Sequence, residues 1–192
     1  MLLQNSVSVT MAIVTVGHSN RTLEEFLELL IAHRVSLLVD VRTIPRSRYN
    51  PQFNRETLPP MLAAQGIAYE HLPGLGGLRH PRKDSVNTGW RNASFRGYAD
   101  YMQTEDFRRH LSSLRELDTG QRTAIMCAEA VPWRCHRSLI ADALTIQGVP
   151  VTHILTAAKA EPHQLTSFAS VEGTRIIYPG PELELFGPDA AT

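Results

Sequence analysis

Twice in this chain a short apolar run is followed by a polar turn and then by an apolar stripe at helical spacing, and this succession constrains the fold more than any other feature. Met11-Ala12-Ile13-Val14-Thr15-Val16 is a strand pattern that stops at the turn-forming cluster Gly17-His18-Ser19-Asn20. Thr22 and Glu25 have the spacing of a capping box, and Leu23, Phe26, Leu27, Leu30 and Ile31 then form one helical face. Leu37, Leu38 and Val39 are a second strand, ended by Asp40-Val41-Arg42. A strand, a helix and a strand at this spacing form a βαβ unit with parallel strands and a right-handed crossover. The pattern returns late in the chain. Thr123 to Cys127 reads as a strand, Ala128 to Trp133 as a loop and Cys135 to Gln147 as a helix with Leu139, Ile140, Ala143 and Leu144 inward, while Val149 to Leu155 is a further strand. The expected fold class is therefore α/β, a single domain with a mostly parallel sheet and helices on both faces.

Between these units the sequence predicts a loop over 43–53, a short helix over 58–65 capped by Gly66 and a strand over 67–70. A long irregular stretch over 72–96, rich in Gly, Pro, Asn and Arg, comes next. A helix starting at Thr104 buries Phe107, Leu111 and Leu114. The domain is expected over 11–178. Residues 1–10 read as a poorly ordered extension without the pattern of a secretory signal, and 179–192 as a tail lying over the surface or docking through Leu185 and Phe186.

With 192 residues, 43% of them hydrophobic and 20% charged, the chain can bury a core of its own, and no apolar run is long enough to span a bilayer. The expected setting is cytoplasmic, with no membrane partner, and Cys127 and Cys135 sit too close together to suggest a secreted disulfide framework. Lys plus Arg equals Asp plus Glu at 19 each, so the whole chain offers no broad cationic surface for duplex nucleic acid. Locally the balance differs, because Arg42, Arg46, Arg48 and Arg55 fall in a segment without acids that also carries Tyr49 and Phe53. That composition suits phosphate contacts combined with base stacking.

In open parallel sheets ligands bind outside the carboxyl ends of the strands, and the chemistry-bearing residues collect there. His18 and Ser19 follow the first strand, Asp40 and Arg42 the second, and Cys127 and Glu129 the late one. The helix that opens near Trp133-Arg134-Cys135-His136-Arg137 adds an imidazole and two guanidinium groups beside a helix N-terminus. Cys127, Glu129, His136, His18 and Asp40 are thus the candidate reactive groups, with Arg42, Arg134, Arg137, Ser19 and Arg46 as candidate anion contacts. Cys127 is the expected thiolate, acidified by arginines. A metal is not expected: Cys-x7-Cys is outside the short-knuckle spacing, and adjacent Cys135 and His136 should not both point inward. Gly74-Leu75-Gly76-Gly77 lacks the strand-to-helix context of a dinucleotide fingerprint and reads as backbone permissiveness near the site or a hinge.

Gly17-His18-Ser19-Asn20, Asp40-Val41-Arg42 with Pro45, Leu75-Gly76-Gly77, and Cys127-Ala128-Glu129 followed by Cys135-His136-Arg137 together resemble the bacterial and archaeal family called domain of unknown function 488. The resemblance runs from about Val14 to Leu155 and implies a compact α/β domain in which these motifs are grouped; it assigns no reaction. Several titratable types at one place favour an enzyme acting on a phosphate-bearing substrate such as a nucleotide or nucleic-acid end. The alternatives are a non-catalytic nucleotide or nucleic-acid binding module and a purely structural polar network. Expected partners are a small phosphorylated ligand, a nucleotide or a short single strand. The sequence specifies neither a cofactor nor an oligomeric state.

Overall fold

In the computed structural model, which describes residues 12–118 and 120–181, six strands form one sheet in the order β3-β2-β4-β1-β5-β6. The strands are β1 (Ile13–Gly17), β2 (Leu37–Asp40), β3 (Ala68–His71), β4 (Thr123–Cys127), β5 (Val151–Thr156) and β6 (Lys159–Pro162). All neighbours are parallel except β5 and β6, which form an antiparallel hairpin at one edge. β4 lies between β1 and β2, so the expected βαβ pair is parallel without being adjacent. A small antiparallel pair, β7 (Ser170–Glu172) and β8 (Arg175–Ile177), stands apart.

Alternation along the central strands divides the core in two. On one face Val14, Val16, Leu38, Ala124 and Met126 pack with Phe26, Leu29 and Leu30 of α1 (Leu23–Ala32) and Leu58 and Leu62 of α2 (Leu58–Ala63). On the other, Ile13, Val39, Ile125 and Cys127 pack with residues of α3 (Ala93–Tyr101), α4 (Glu105–Leu117) and α5 (Arg137–Thr145). The domain thus has helices on both faces of a mostly parallel sheet. The capping box forms as the spacing predicts: the Thr22 side chain accepts from Glu25 N–H, and the Glu25 carboxylate accepts from Thr22 N–H. The inward face of α1 is rotated from the expected one, because Leu29 is buried and Ile31 is half exposed. Gly66 has φ +71°, the left-handed value expected of the residue that stops α2.

Two expectations are corrected. The stretch 72–96 is not irregular throughout, since α3 begins at Ala93, with the Asn92 side chain accepting from the N–H groups of Ser94 and Phe95. Phe95, Tyr98, Ala99 and Met102 carry its inward stripe, a helical period masked by the surrounding Gly and Arg. The last helix begins at Arg137, later than the expected Cys135, because a 3-10 turn over Pro132–Arg134 and an extended Cys135 come first. The expected extension 1–10 and the tail residues Leu185 and Phe186 lie outside the described residues. No described helix is long and apolar enough to cross a membrane.

The site follows from this topology. β1 and β4 are neighbours, with Gly17 opposite Cys127, yet the chain leaves β1 toward α1 on one face and β4 toward α5 on the other. A crevice opens outside the strand ends where connections diverge in this way.

Candidate functional site at the carboxyl ends of the strands

Asp40 is fully buried at the end of β2, and a buried carboxylate is stable there only with donors. It has four. Arg42 donates through its backbone N–H, Nε and one terminal nitrogen, the last at 2.6 Å, and Tyr69 donates its hydroxyl at 2.9 Å. The same Arg42 nitrogen also donates to the Phe53 carbonyl at 2.7 Å, and the other terminal nitrogen meets His18 Nε2 at 3.1 Å. Because His18 Nδ1 faces the Ser19 carbonyl at 2.8 Å, that nitrogen carries the proton and Nε2 accepts from Arg42. Burial, with the nearby Arg42 charge acting in the same direction, lowers the His18 pKa from 6.5 to about 4 and keeps the ring neutral.

His18, expected as a reactive group, therefore has its lone pair engaged by Arg42, and its ring stacks on Phe53 at 4.3 Å. Asp40 and His18 orient a guanidinium that keeps one N–H for the crevice. Phe53 is fully buried and is not a stacking platform for a base, whereas Tyr49 is exposed. Arg46 is exposed and Ser19 half-buried, and neither lines the crevice.

Across the crevice, Arg137 is 1% exposed and has no carboxylate within ion-pair distance among the described residues. It donates to Thr15 Oγ1 at 3.1 Å and to the Glu129 carbonyl at 2.6 Å. Expected as an anion contact, it instead clamps the loop between β4 and α5 onto β1. From Thr15 a chain of hydrogen bonds continues in one direction. Thr15 Oγ1 meets His153 Nδ1 at 2.7 Å, His153 Nε2 meets His163 Nδ1 at 2.9 Å, and His163 Nε2 meets Asp142 Oδ1 at 2.8 Å. With the carboxylate able only to accept, His163 Nε2 carries a proton toward Asp142, so the chain links a buried cation to a buried anion. Burial lowers the His153 pKa from 6.5 to about 4, in keeping with a neutral ring. The sequence reading missed this chain, although Asp142 lies within the apolar stripe of its helix, an anomaly that calls for partners.

Between these supports sit the reactive groups. Cys127, Cys135 and His136 place two sulfurs and a ring nitrogen within 4.8 Å of one another, with His136 Nδ1 3.8 Å from Cys127 Sγ and 3.7 Å from Cys135 Sγ. The expectation that Cys135 and His136 point apart is thereby corrected. Cys135 is extended (φ −135°, ψ 144°) and His136 helical (φ −56°, ψ −11°), so the chain turns between them and aims both inward. Cys127 and Cys135 ionise as a pair rather than as one acidified Cys127. The hydrogen bond to Cys135, reinforced by burial, pushes the Cys127 thiol up. Burial would raise Cys135 as well, but hydrogen bonds from Cys127 and His136, with the Arg137 charge, outweigh it and hold that thiol well below its usual range. Gly77 lies against the His136 ring, and a Cβ there would meet Nδ1, so the Gly-rich segment gives this imidazole its room.

A cavity of about 350 Å³ opens onto these groups, lined by Arg42, Thr43, Ile44, Gly77, Leu78, Phe95, Cys127, Glu129, Arg134, Cys135 and His136 among others. Glu129 and Arg134 are exposed at its edge. A larger hollow of about 650 Å³ lies against the other side of the Pro132–Arg134 turn, lined by Trp90, Trp133, His153 and His163 among others. The smaller cavity is the candidate site because the sulfurs, His136 and Arg42 all face it.

These features define a doubly wound α/β protein with a thiol, imidazole and guanidinium site at the divergence of its central strands. The family model described as Domain of unknown function DUF488 matches residues 22–144, more than half of the chain, and the chain belongs to that family. No curated protein and no solved structure matches it.

Proposed function

We propose that the protein is an enzyme acting on a small phosphate-bearing substrate, such as a nucleotide or a nucleic-acid end, in the cavity between Arg42 and the cysteine–histidine cluster. The observation that carries this reading is the composition of one wall system: two thiols and an imidazole face a guanidinium with an uncommitted N–H, and Glu129 and Arg134 stand at the mouth. An anion receptor needs donors alone; thiols, an imidazole and a carboxylate beside them favour chemistry on the bound molecule. Arg42 is preorganised by Asp40 and His18, so it can receive an anion without reorganising. The volume accommodates a small ligand, not a duplex.

The test is a thermal-shift panel of nucleotides, phosphorylated sugars and short single-stranded oligonucleotides, followed by product analysis for each compound that binds. At a concentration about 100 times its dissociation constant, a site ligand adds about 2.7 kcal/mol to the stability of the folded state. Arg134→Ala, an exposed substitution, should reduce the shift. Binding without turnover would favour the binding-module alternative, and a panel in which no phosphate-bearing compound raises the melting temperature would overturn both.

A further inference from the structure

We infer that Cys127, Cys135 and His136 are the protein ligands of a thiolate-preferring divalent cation with the chemistry of zinc, bound so that one coordination position faces the 350 Å³ cavity. Tetrahedral zinc holds sulfur at about 2.3 Å and imidazole nitrogen at about 2.0–2.1 Å, which separates the two ligand atoms by about 3.5 Å. The separations found from His136 Nδ1 to the two sulfurs, 3.8 and 3.7 Å, lie a few tenths of an ångström outside that value. The donor set is also the right kind, because two thiolates and a neutral imidazole suit zinc and are poor ligands for magnesium or calcium.

The sequence spacing argued against a metal, and the backbone answers that argument. Cys-x7-Cys is long for a single knuckle, but here the first cysteine ends a central strand and the second precedes a helix across a folded turn. Cys135 N–H donates to the Pro132 carbonyl at 3.0 Å, and Ser138 Oγ donates to the Cys135 carbonyl at 3.0 Å. Arg137 ties the intervening loop to β1 through the Glu129 carbonyl and Thr15. Cys127 is therefore held by the sheet, and Cys135 by the hydrogen bonds of the turn and of Ser138.

The number of ligands sets the kind of site. Structural zinc is closed by four protein side chains, whereas catalytic zinc has three and leaves the fourth position to water or substrate. Among the described residues the cluster has three, all of which line the cavity together with Arg42 and Glu129. As a statement about catalysis this rests on the cavity being a substrate site; as a statement about metal binding it does not.

The experiment uses the full-length, reduced protein stripped with a chelator and titrated with zinc against a chromophoric competitor, then with cobalt(II) as a spectroscopic probe. The expected result is about one zinc per chain, with a thiolate-to-cobalt charge-transfer band and the visible bands of tetrahedral cobalt. Cys127→Ser and Cys135→Ser should each weaken zinc by more than about 100-fold. Because a buried substitution can unfold the chain, the wild-type protein supplies the second measurement. Zinc should protect both cysteines from alkylation in the folded state, and a chelator should restore their reactivity. Absence of stoichiometric zinc in the folded, reduced wild type would overturn the inference, as would binding that survives loss of either thiol or a pair that only forms a disulfide. Zinc binding with no phosphate ligand leaves the metal site and removes the substrate reading, and the reverse result does the opposite.

Discussion

Arg42 and Arg137 show how the same residue type is put to different uses at neighbouring strand ends. Arg42 is bound to a carboxylate and an imidazole and still faces the cavity, whereas Arg137 gives its terminal nitrogens to a hydroxyl and to backbone carbonyls and is sealed inside. A sequence displays two arginines near strand ends and no difference between them. Gly17 is the residue on which the Arg137 clamp depends, because a Cβ there would overlap the Glu129 carbonyl and crowd the Arg137 guanidinium. Backbone cannot retreat as a side-chain tip can, so Gly17→Ala is expected to destabilise the protein by about 3 kcal/mol or more. Urea denaturation measures it, and a loss below about 1 kcal/mol would show that the clamp yields freely.

At the scale of elements, α5 is held both by its apolar stripe and by one carboxylate within it. Asp142 accepts from His163, from the N–H and hydroxyl of Thr166, and from the Tyr178 hydroxyl, and so fastens the helix to the segment that follows β6 and to the end of the described chain. Burial raises the Tyr178 phenol far above its usual range, and the adjacent Asp142 adds to the effect, so this hydroxyl stays a donor. Asp142→Ala would strand four donors and leave Arg137 without its distant counter-charge. The expected loss is about 3–5 kcal/mol. Amide exchange should locate it, with protection falling first over residues 163–178 and in α5. Uniform loss across α1 and α2 would mean that the link is global rather than local.

For the molecule as a whole, the two buried neutral histidines set a pH limit. Folding lowers the pKa of His18 and of His153 from 6.5 to about 4, chiefly by burial. Between those values the unfolded chain binds more protons than the folded one, so stability is complete above about pH 6.5 and declines as pH falls toward 4. After allowance for solvent screening, the two together should cost about 3 kcal/mol across that window. Urea midpoints at about pH 7 and about pH 4.5 test this, and His18→Gln should flatten part of the slope. An unchanged midpoint would show that one or both rings are protonated in the native state.

The sequence by itself determined the α/β class, the βαβ units, the capping box at Thr22 and the gathering of reactive residues at strand ends. Each of these is written in local periodicity, turn chemistry or the rule that strand ends carry sites. It also contained α3, in the Asn92 cap and the Phe95, Tyr98, Ala99, Met102 stripe, under a composition that reads as loop. What it could not determine was which groups face the cavity. The roles of His18 and Arg137 as supports depend on partners 8 to 122 positions away, 24 for His18 with Arg42 and 122 for Arg137 with Thr15. The convergence of Cys127, Cys135 and His136 depends on how one turn and one extended residue fold the chain back after β4. Distances of that kind arise only once both faces of the sheet are packed, because packing, and not spacing, fixes the direction in which each side chain points.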